Sequence, residues 1–369
     1  MFMQDKKIYV KLVSLSFKRG SGIGVVEYAV RLEKAIIKYD NDIKLSTKEL
    51  IHRKLYDFAN IIYKNYKKPD VDSPTKRIPG KPQIIHYMDL NVIPFDLSLM
   101  ASKGVKLVCT IHDLDSRRRI FRSSKLSEHK NNVLKNISNL FLDKMIRSSY
   151  KYGVKFAIKK ADHIIVVSEK TKEEVMKYTN IGKDKLSVVY PIIGDNFKKI
   201  KVAKNKNKIV VGHISSYLYK KNAEALVSAF KRTKNPNLEL RLYGGKLPFK
   251  INDDSRIHYF GHVKDKDLPR VLNSFDVFVF PSKWEGFGMP IMEAKRCRVP
   301  VITYKKGALP KIVKAHTLQF KDEKDLTSIL EEKRWEKVDT NSAYKDTKKT
   351  EPKYVAKQID EIYHKVLER

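Results

Sequence analysis

Short apolar runs suited to β-strands alternate with stretches of helical periodicity along this 369-residue chain, and the series occurs twice. In the first series, "KIYVKLV" (7–13) reads as a buried strand, then a glycine loop, then a helix in which Val26, Ala29 and Val30 share one face. Strands follow at "QIIHYM" (83–88), "KLVCTIHD" (106–113) and the first half of "ADHIIVVSEKTKEEVMKY" (161–178), where Ser168 stands ready to cap a helix. The pattern stops near "SVVYPIIGDNF" (187–197), and a Lys/Asn-rich stretch follows. A second series then runs through "IVVGHI" (209–214), the helix "AEALVSAFKR", "LELRLYGG" (238–245), "IHYFGHV" (257–263), "FDVFVFP" and "VPVITY". "EPKYVAKQIDEIYHKVLER" closes the chain as an amphipathic helix. Strand–helix alternation requires parallel strands joined by crossovers, so the fold class is α/β, with two doubly wound Rossmann-like sheets. In such sheets ligands bind outside the carboxyl ends of the strands, so the loops at 19–24, 112–115, 212–221, 244–246 and 285–290 are expected to line one cleft.

The stretch "FPSKWEGFGMPIMEAKRCRVPVI" (280–302) carries the sharpest chemistry. Glu285 and Glu293 flank Gly286 and Gly288, and Pro290 stands where a helix would begin. Glycines allow close backbone approach, and proline is pre-set for the first helical position. A strand at Val277–Phe280, this loop and a helix from near Pro290 would aim backbone N–H groups and a helix N-terminus at one spot, which suits a phosphate. Glu285 on the loop and Glu293 on the first helical turn would repel that phosphate, so they suit hydroxyls beside it. A phosphate flanked by two polyols is a nucleotide sugar. The competing reading is a strand–helix corner with two solvated acids.

Other patterns discriminate less. Gly20, Gly22 and Gly24 begin a dinucleotide fingerprint, but Val25 stands where it needs glycine or alanine, and no ribose-binding acid follows. "TIHDLD" (110–115) ends a strand with His112. Its Asp113–Asp115 spacing matches metal–diphosphate sites, yet the same spacing recurs at Asp70/Asp72 and Asp265/Asp267, so no metal is assigned. "HISSYLYKKN" (213–222) offers Lys220 and Lys221 to a leaving diphosphate, or merely to solvent. Cys109 and Cys297 lie in apolar runs without metal or CxxC spacing, which fits a reduced compartment.

Seventy-six Lys/Arg against 42 Asp/Glu give a net charge of +34, which calls for polyanionic partners or surfaces. The excess is general, with one concentrated zone: Arg117–Lys160 holds thirteen basic residues and two acids. There is no apolar run of membrane-spanning length, and "MFMQDKKIYV" lacks a secretory core, so a cytoplasmic protein is expected. Nucleic acid is disfavoured, because no RNP, zinc or basic-zipper signature accompanies the charge.

Taken in order, the residues resemble the GT-B glycosyltransferases of the large retaining family GT4. The likeness runs nearly end to end through "GIG", "TIHDL", "ADHIIVVSEKTKEEV", "KLSVVYPIIGDNF", "KKNAEALVSAF", "YFGHVKDKDLPRVLNSFDVFVFPSKWEGFGMPIMEA" and "GALP". The resemblance implies an acceptor-side domain over 1–192, a nucleotide-sugar domain over 193–348, and a closing helix (349–369) packing back on the first. It assigns Glu285 to donor-sugar hydroxyls, with Gly286 and the backbone of Phe287, Gly288 and Met289 nearby, and Glu293 to the ribose. Lys221, with Lys220, falls to the diphosphate and Gly22 and Gly24 to the loop approaching it. His112 falls to the anomeric centre and the Gly261–Val263 turn to the base. His112, Glu285 and Lys221 are thus the catalytic set. His213 stands where relatives often have an arginine on the diphosphate, Arg298 replaces a usual glycine, and Lys311 replaces a usual acid.

The implied activity is metal-independent transfer of a hexose from a UDP- or GDP-linked donor to a hydroxyl of a glycan or lipid-linked acceptor, with no cofactor. The basic zone is expected to dock on an anionic membrane, because Val133, Ile137, Leu140 and Phe141 fall at helical spacing among lysines. The alternatives are a basic nucleic-acid-binding protein, or the same fold used for nucleotide-sugar epimerisation or phosphorolysis.

Overall fold

The computed structural model describes residues 7–14, 24–40, 42–49, 82–89, 104–113, 158–251 and 253–369. Gly20, Gly22, Asp70, Asp72, Asp115 and the basic zone up to residue 157 lie outside them. The chain divides into two compact units: Met1–Tyr190 with Val355–Arg369, and Pro191–Tyr354.

The first unit is built on a six-stranded parallel sheet, in the order β2-β1-β3-β4-β5-β6. Its strands are β1 (Ile8–Ser14), β2 (Ile43–Glu49), β3 (Ile84–Tyr87), β4 (Lys106–Ile111), β5 (His163–Val166) and β6 (Leu186–Val188). Residues of β1, β3, β4 and β5 are buried on both faces, as parallel strands under crossover helices must be. Helix α1 (Gly24–Tyr39) buries Tyr28, Ala29, Leu32 and Ile36 at helical spacing. Helix α2 (Glu169–Tyr178) starts at Ser168, whose Oγ accepts the Thr171 N–H at 3.1 Å.

A second parallel sheet, ordered β12-β11-β10-β7-β8-β9, forms the other unit. It comprises β7 (Ile209–Ser215), β8 (Leu238–Gly244), β9 (Ile257–Tyr259), β10 (Val277–Phe280), β11 (Val301–Tyr304) and β12 (Leu318–Phe320). Its described helices are α3 (Ala223–Lys231), α4 (Leu268–Asn273), α5 (Met289–Arg296), α6 (Lys311–Lys314), α7 (Glu323–Glu331) and α8 (Thr340–Asp346). Leu226 and Phe230 of α3, Leu238, Leu240 and Leu242 of β8, and Ile329 and Leu330 of α7 share one core. Full burial of a side chain such as Phe230 contributes about 2–3 kcal/mol.

Helix α9 (Pro352–Leu367) returns the chain to the first unit. Val355, Ile359, Tyr363 and Val366 form its buried face, the Tyr363 hydroxyl meets His86 on β3, and Arg369 pairs with Asp184.

Candidate active site

Strand order places a switch point in each sheet. In the second unit the chain goes from β7 outward through β8 to β9, then returns to lay β10 on the other side of β7. Loops leaving β7 and β10 therefore diverge from neighbouring strand ends, where open α/β sheets bind ligands. They carry Lys220 and Lys221 on one side and Glu285 on the other.

The two loops are stitched together. Lys283 N–H donates to the Lys220 carbonyl at 2.8 Å, and Lys221 Nζ meets Glu285 Oε1 at 2.6 Å. Ser282, fully buried, holds the same oxygen from its Oγ at 2.6 Å. The rings interlock the loops further: Lys220 Nζ lies 4.8 Å over Trp284, and Lys283 Nζ 4.6 Å over Tyr219. Burial pushes the Glu285 carboxyl up, but Lys221, Lys220 and the bonds from Lys221 and Ser282 outweigh it, so the group lies below its ordinary value. Glu285 is thus an anion at neutral pH inside a nearly dry corner.

The loop after β10 is held at both ends. Trp284 makes a parallel bridge to Ala308, with Glu285 N–H on the Ala308 carbonyl at 3.2 Å and Ala308 N–H on the Lys283 carbonyl at 3.0 Å. Gly307 permits that approach, since a Cβ there would stand 2.5 Å from the Ser282 carbonyl oxygen. Gly288 then takes φ +108° to turn into α5, with Pro290 in its first turn. A Cβ on Gly288 would sit 4.0 Å from Glu285 Cγ, so the glutamate lies against the helix N-terminus. Buried Lys295 fixes α5, donating to the Ile312 and Ala315 carbonyls (3.0 and 2.6 Å) and to Asp346 (2.9 Å).

Lys221, Glu285 and the turn that leads into α5 (Gly286, Phe287, Gly288 and Met289) are therefore brought together. Glu293 is buried on α5, and because the helix begins at Met289 it opens the second turn rather than closing the first. Val263, half-buried, follows Gly261 (φ +71°), whose carbonyl accepts the Gly244 N–H at 2.7 Å, so this turn stands at the carboxyl ends of β8 and β9. In the first unit, Gly24 opens α1 and His112 follows β4, its Nε2 at 2.9 Å from the Met88 carbonyl. Gly22, between β1 and α1, lies outside the described residues. Among the described residues, no cluster of three or more His, Cys, Asp or Glu side chains is placed to hold a metal ion.

Sequence reading missed Ser282 and the Tyr219 and Trp284 rings. Ser282 had a signal in hindsight, a small polar residue at a strand end three positions before Glu285.

Residues 195–332 match the family described as glycosyl transferases group 1, and residues 74–196 match glycosyltransferase family 4, together a continuous run from 74 to 332. The chain belongs to the group 1, family 4 glycosyltransferases. Among curated relatives, this glycosyltransferase is 27% identical over 200 residues to the serotype-specific mannosyltransferase WbdA of Escherichia coli. That match covers 47% of this chain and 24% of WbdA, so the chain spans about a quarter of that relative's length. Its fold resembles sucrose-phosphate synthase from Thermosynechococcus elongatus, with a TM-score of 0.69 at 16% identity over 98% of this chain and 99% of that one. Anabaena HepE in complex with UDP-glucose is also similar: TM-score 0.61, 14% identity, 97% and 100% coverage. Two parallel Rossmann-like sheets with these neighbours define the GT-B class.

Two departures from the family pattern have structural explanations. His213 is fully buried, with Nδ1 at 2.8 Å from the Val279 carbonyl and Nε2 at 2.9 Å from Ser215 Oγ. Burial lowers its pKa to about 4, so the ring is neutral and works as a core connector, not as a substitute for a diphosphate cation. Arg298 takes φ +57°, the left-handed region that glycine fills without strain, and its guanidinium stacks 4.6 Å from the Tyr344 ring. Lys311 is exposed at the start of α6.

Proposed function

We propose that this protein is a retaining hexosyltransferase that moves a sugar from a UDP- or GDP-linked donor to a hydroxyl of a glycan or lipid-linked acceptor. The observation that carries the reading is the Lys221–Glu285 pair at the switch point, set against the N-terminus of α5. A cation, a helix N-terminus and a charged carboxylate side by side match a diphosphate joined to a polyol. The names of the similar proteins, a mannosyltransferase and a protein holding UDP-glucose, lend support.

In this reading Lys221 and Lys220 take the diphosphate, and the family resemblance assigns Gly22 and Gly24 to the same group. Glu285 accepts from sugar hydroxyls beside the backbone N–H groups of Phe287, Gly288 and Met289, Glu293 accepts from the ribose, and the turn at Val263 borders the base. As the bond between C1 and the phosphate oxygen breaks, negative charge grows on the diphosphate, where the lysines and the helix N-terminus stabilise it. The departing phosphate oxygen takes the acceptor's proton while the acceptor oxygen bonds C1 on the same face. His112 borders the anomeric centre. The reaction needs no metal or cofactor, and the protein works in the cytoplasm, peripherally on an anionic membrane. No helix among the described residues is long and apolar enough to span one.

The test is turnover with a panel of UDP- and GDP-sugars, in the presence of excess chelator and with two variants. Glu293→Ala is expected to weaken donor binding and Glu285→Ala to lower turnover, each by about 1.5–3 kcal/mol for a lost charge-assisted bond. Unchanged kinetics and affinity in both would overturn the site. Loss of activity in chelator, restored by manganese or magnesium, would overturn the metal-free reaction.

A further inference from the structure

The His112 contact is one of two stacked rungs. On β3 and β4, His86 Nε2 lies 2.8 Å from Thr110 Oγ1, and two residues on, just past the ends of both strands, the Met88 carbonyl lies 2.9 Å from His112 Nε2. Side chains two apart on a strand share a face, so His86 and Thr110 lie directly behind the His112 rung. The inner rung is closed by the returning helix: His86 Nδ1 is 2.7 Å from the Tyr363 hydroxyl, the two rings meeting edge-on at 5.8 Å. Tyr28 of α1 spans both rungs by packing. Its buried hydroxyl stands beside Thr110 without a hydrogen-bond partner among the described residues, and its ring stands edge-on to His112 at 4.7 Å and 85°.

All the inner members are sealed from water. Tyr28, His86, Thr110 and Tyr363 are each at most 1% exposed. Burial holds His86 neutral, with its pKa lowered to about 3, so its ring carries one proton, donating one of its two bonds and accepting the other. Deleting one partner then leaves a buried ring nitrogen unsatisfied, and the remaining partners must rotate to compensate.

The geometry points to Tyr363 as a positioning residue for His112, acting through His86, Thr110 and Tyr28. It lies beyond residue 332, where the family matches end, on a helix whose other buried residues are aliphatic or small. The closing helix therefore does more than complete a core: it sets the ring that the proposed function puts beside the reacting carbon. This inference rests on that reading of His112.

Tyr363→Phe is the test, beside Val366→Ala as a control that removes packing from the same helix face without touching the polar chain. Two readouts are needed. One is the ¹⁵N signals of the His112 ring, which report its tautomer and require no turnover; the other is the split between kcat and donor KM. Tyr363→Phe should move the His112 signals and lower kcat about tenfold while donor KM stays within about twofold. Val366→Ala should lower the melting temperature and leave both readouts as in wild type. Unmoved His112 signals in Tyr363→Phe, or the same shift in Val366→Ala, would overturn the proposal. If Tyr363→Phe does not fold, Thr110→Val interrupts the chain at its next member and is judged by the same readouts. Absence of any nucleotide-sugar turnover in the wild type would remove the donor reading, and the ring signals would still decide the coupling.

Discussion

Lys221 and Glu285 satisfy each other where water scarcely reaches, their side chains only 14% and 9% exposed. Breaking such a pair leaves one uncompensated charge, which costs more than the pair itself contributes. Lys221→Ala should therefore destabilise the donor-free protein by about 3 kcal/mol, whereas Lys220→Ala, whose ammonium rests on the Trp284 ring, should cost under about 1 kcal/mol. Equal urea midpoints for the two variants would contradict this. Arg298 offers a second comparison. At φ +57° a β-carbon costs about 1 kcal/mol relative to glycine, so Arg298→Gly should unfold at higher urea than Arg298→Ala by about that amount. At this scale Glu285 and Lys221 were legible because the glycine turn and "KKN" fix their places in the chain. The burial of His213 was not: the resemblance only set it where relatives often have an arginine on the diphosphate, and its role as a connector shows in its side chain, held between Val279 and Ser215.

Inner strands such as β3, β4, β5 and β10 were legible as elements because both faces are buried and the runs are nearly continuously apolar, and β8 ("LELRLYG") because it alternates with period two. Apart from β9, the edge strands were not. β2 ("IKLSTKE") and the three-residue β6 and β12 each pair on one side only and carry too little apolar sequence to stand out, while β9 ends at Tyr259 rather than running to Val263. The rung between Trp284 and Ala308 was equally invisible, being a single bridge set by the close approach of Gly307 to Ser282. It makes a prediction of its own. Gly307→Ala would force a Cβ within 2.5 Å of the Ser282 carbonyl oxygen and 3.0 Å of that of Tyr304, so the two segments must separate. The expected cost is about 1–3 kcal/mol in denaturation, with lower turnover because Glu285, which the proposed function sets on the sugar hydroxyls, loses its backbone anchor. Wild-type stability and turnover in Gly307→Ala would show that the rung does not hold the site.

At the scale of the whole molecule, three buried histidines among the described residues tie stability to pH. His86 and His163 lie in the first unit and His213 in the second; burial, the largest cause in each, lowers their pKa values to about 3, 4 and 4. In the unfolded chain these rings titrate near about 6.5. Between about pH 6.5 and 4 the unfolded state therefore binds protons that the folded state refuses, and stability falls as pH falls through that window. For His213 alone, a pKa difference of this size amounts to a loss on the order of 3 kcal/mol between pH 7 and 4. The second unit can be followed separately, because the only tryptophans of the chain, Trp284 and Trp335, both lie within it. Urea unfolding followed by tryptophan fluorescence should show the midpoint dropping steadily from pH 7 to pH 4. His213→Asn keeps an N–H donor for the Val279 carbonyl but cannot take up a proton, so its midpoints should fall less steeply over the same range. Parallel pH profiles for wild type and His213→Asn would mean that the buried ring is not what makes this unit acid-sensitive.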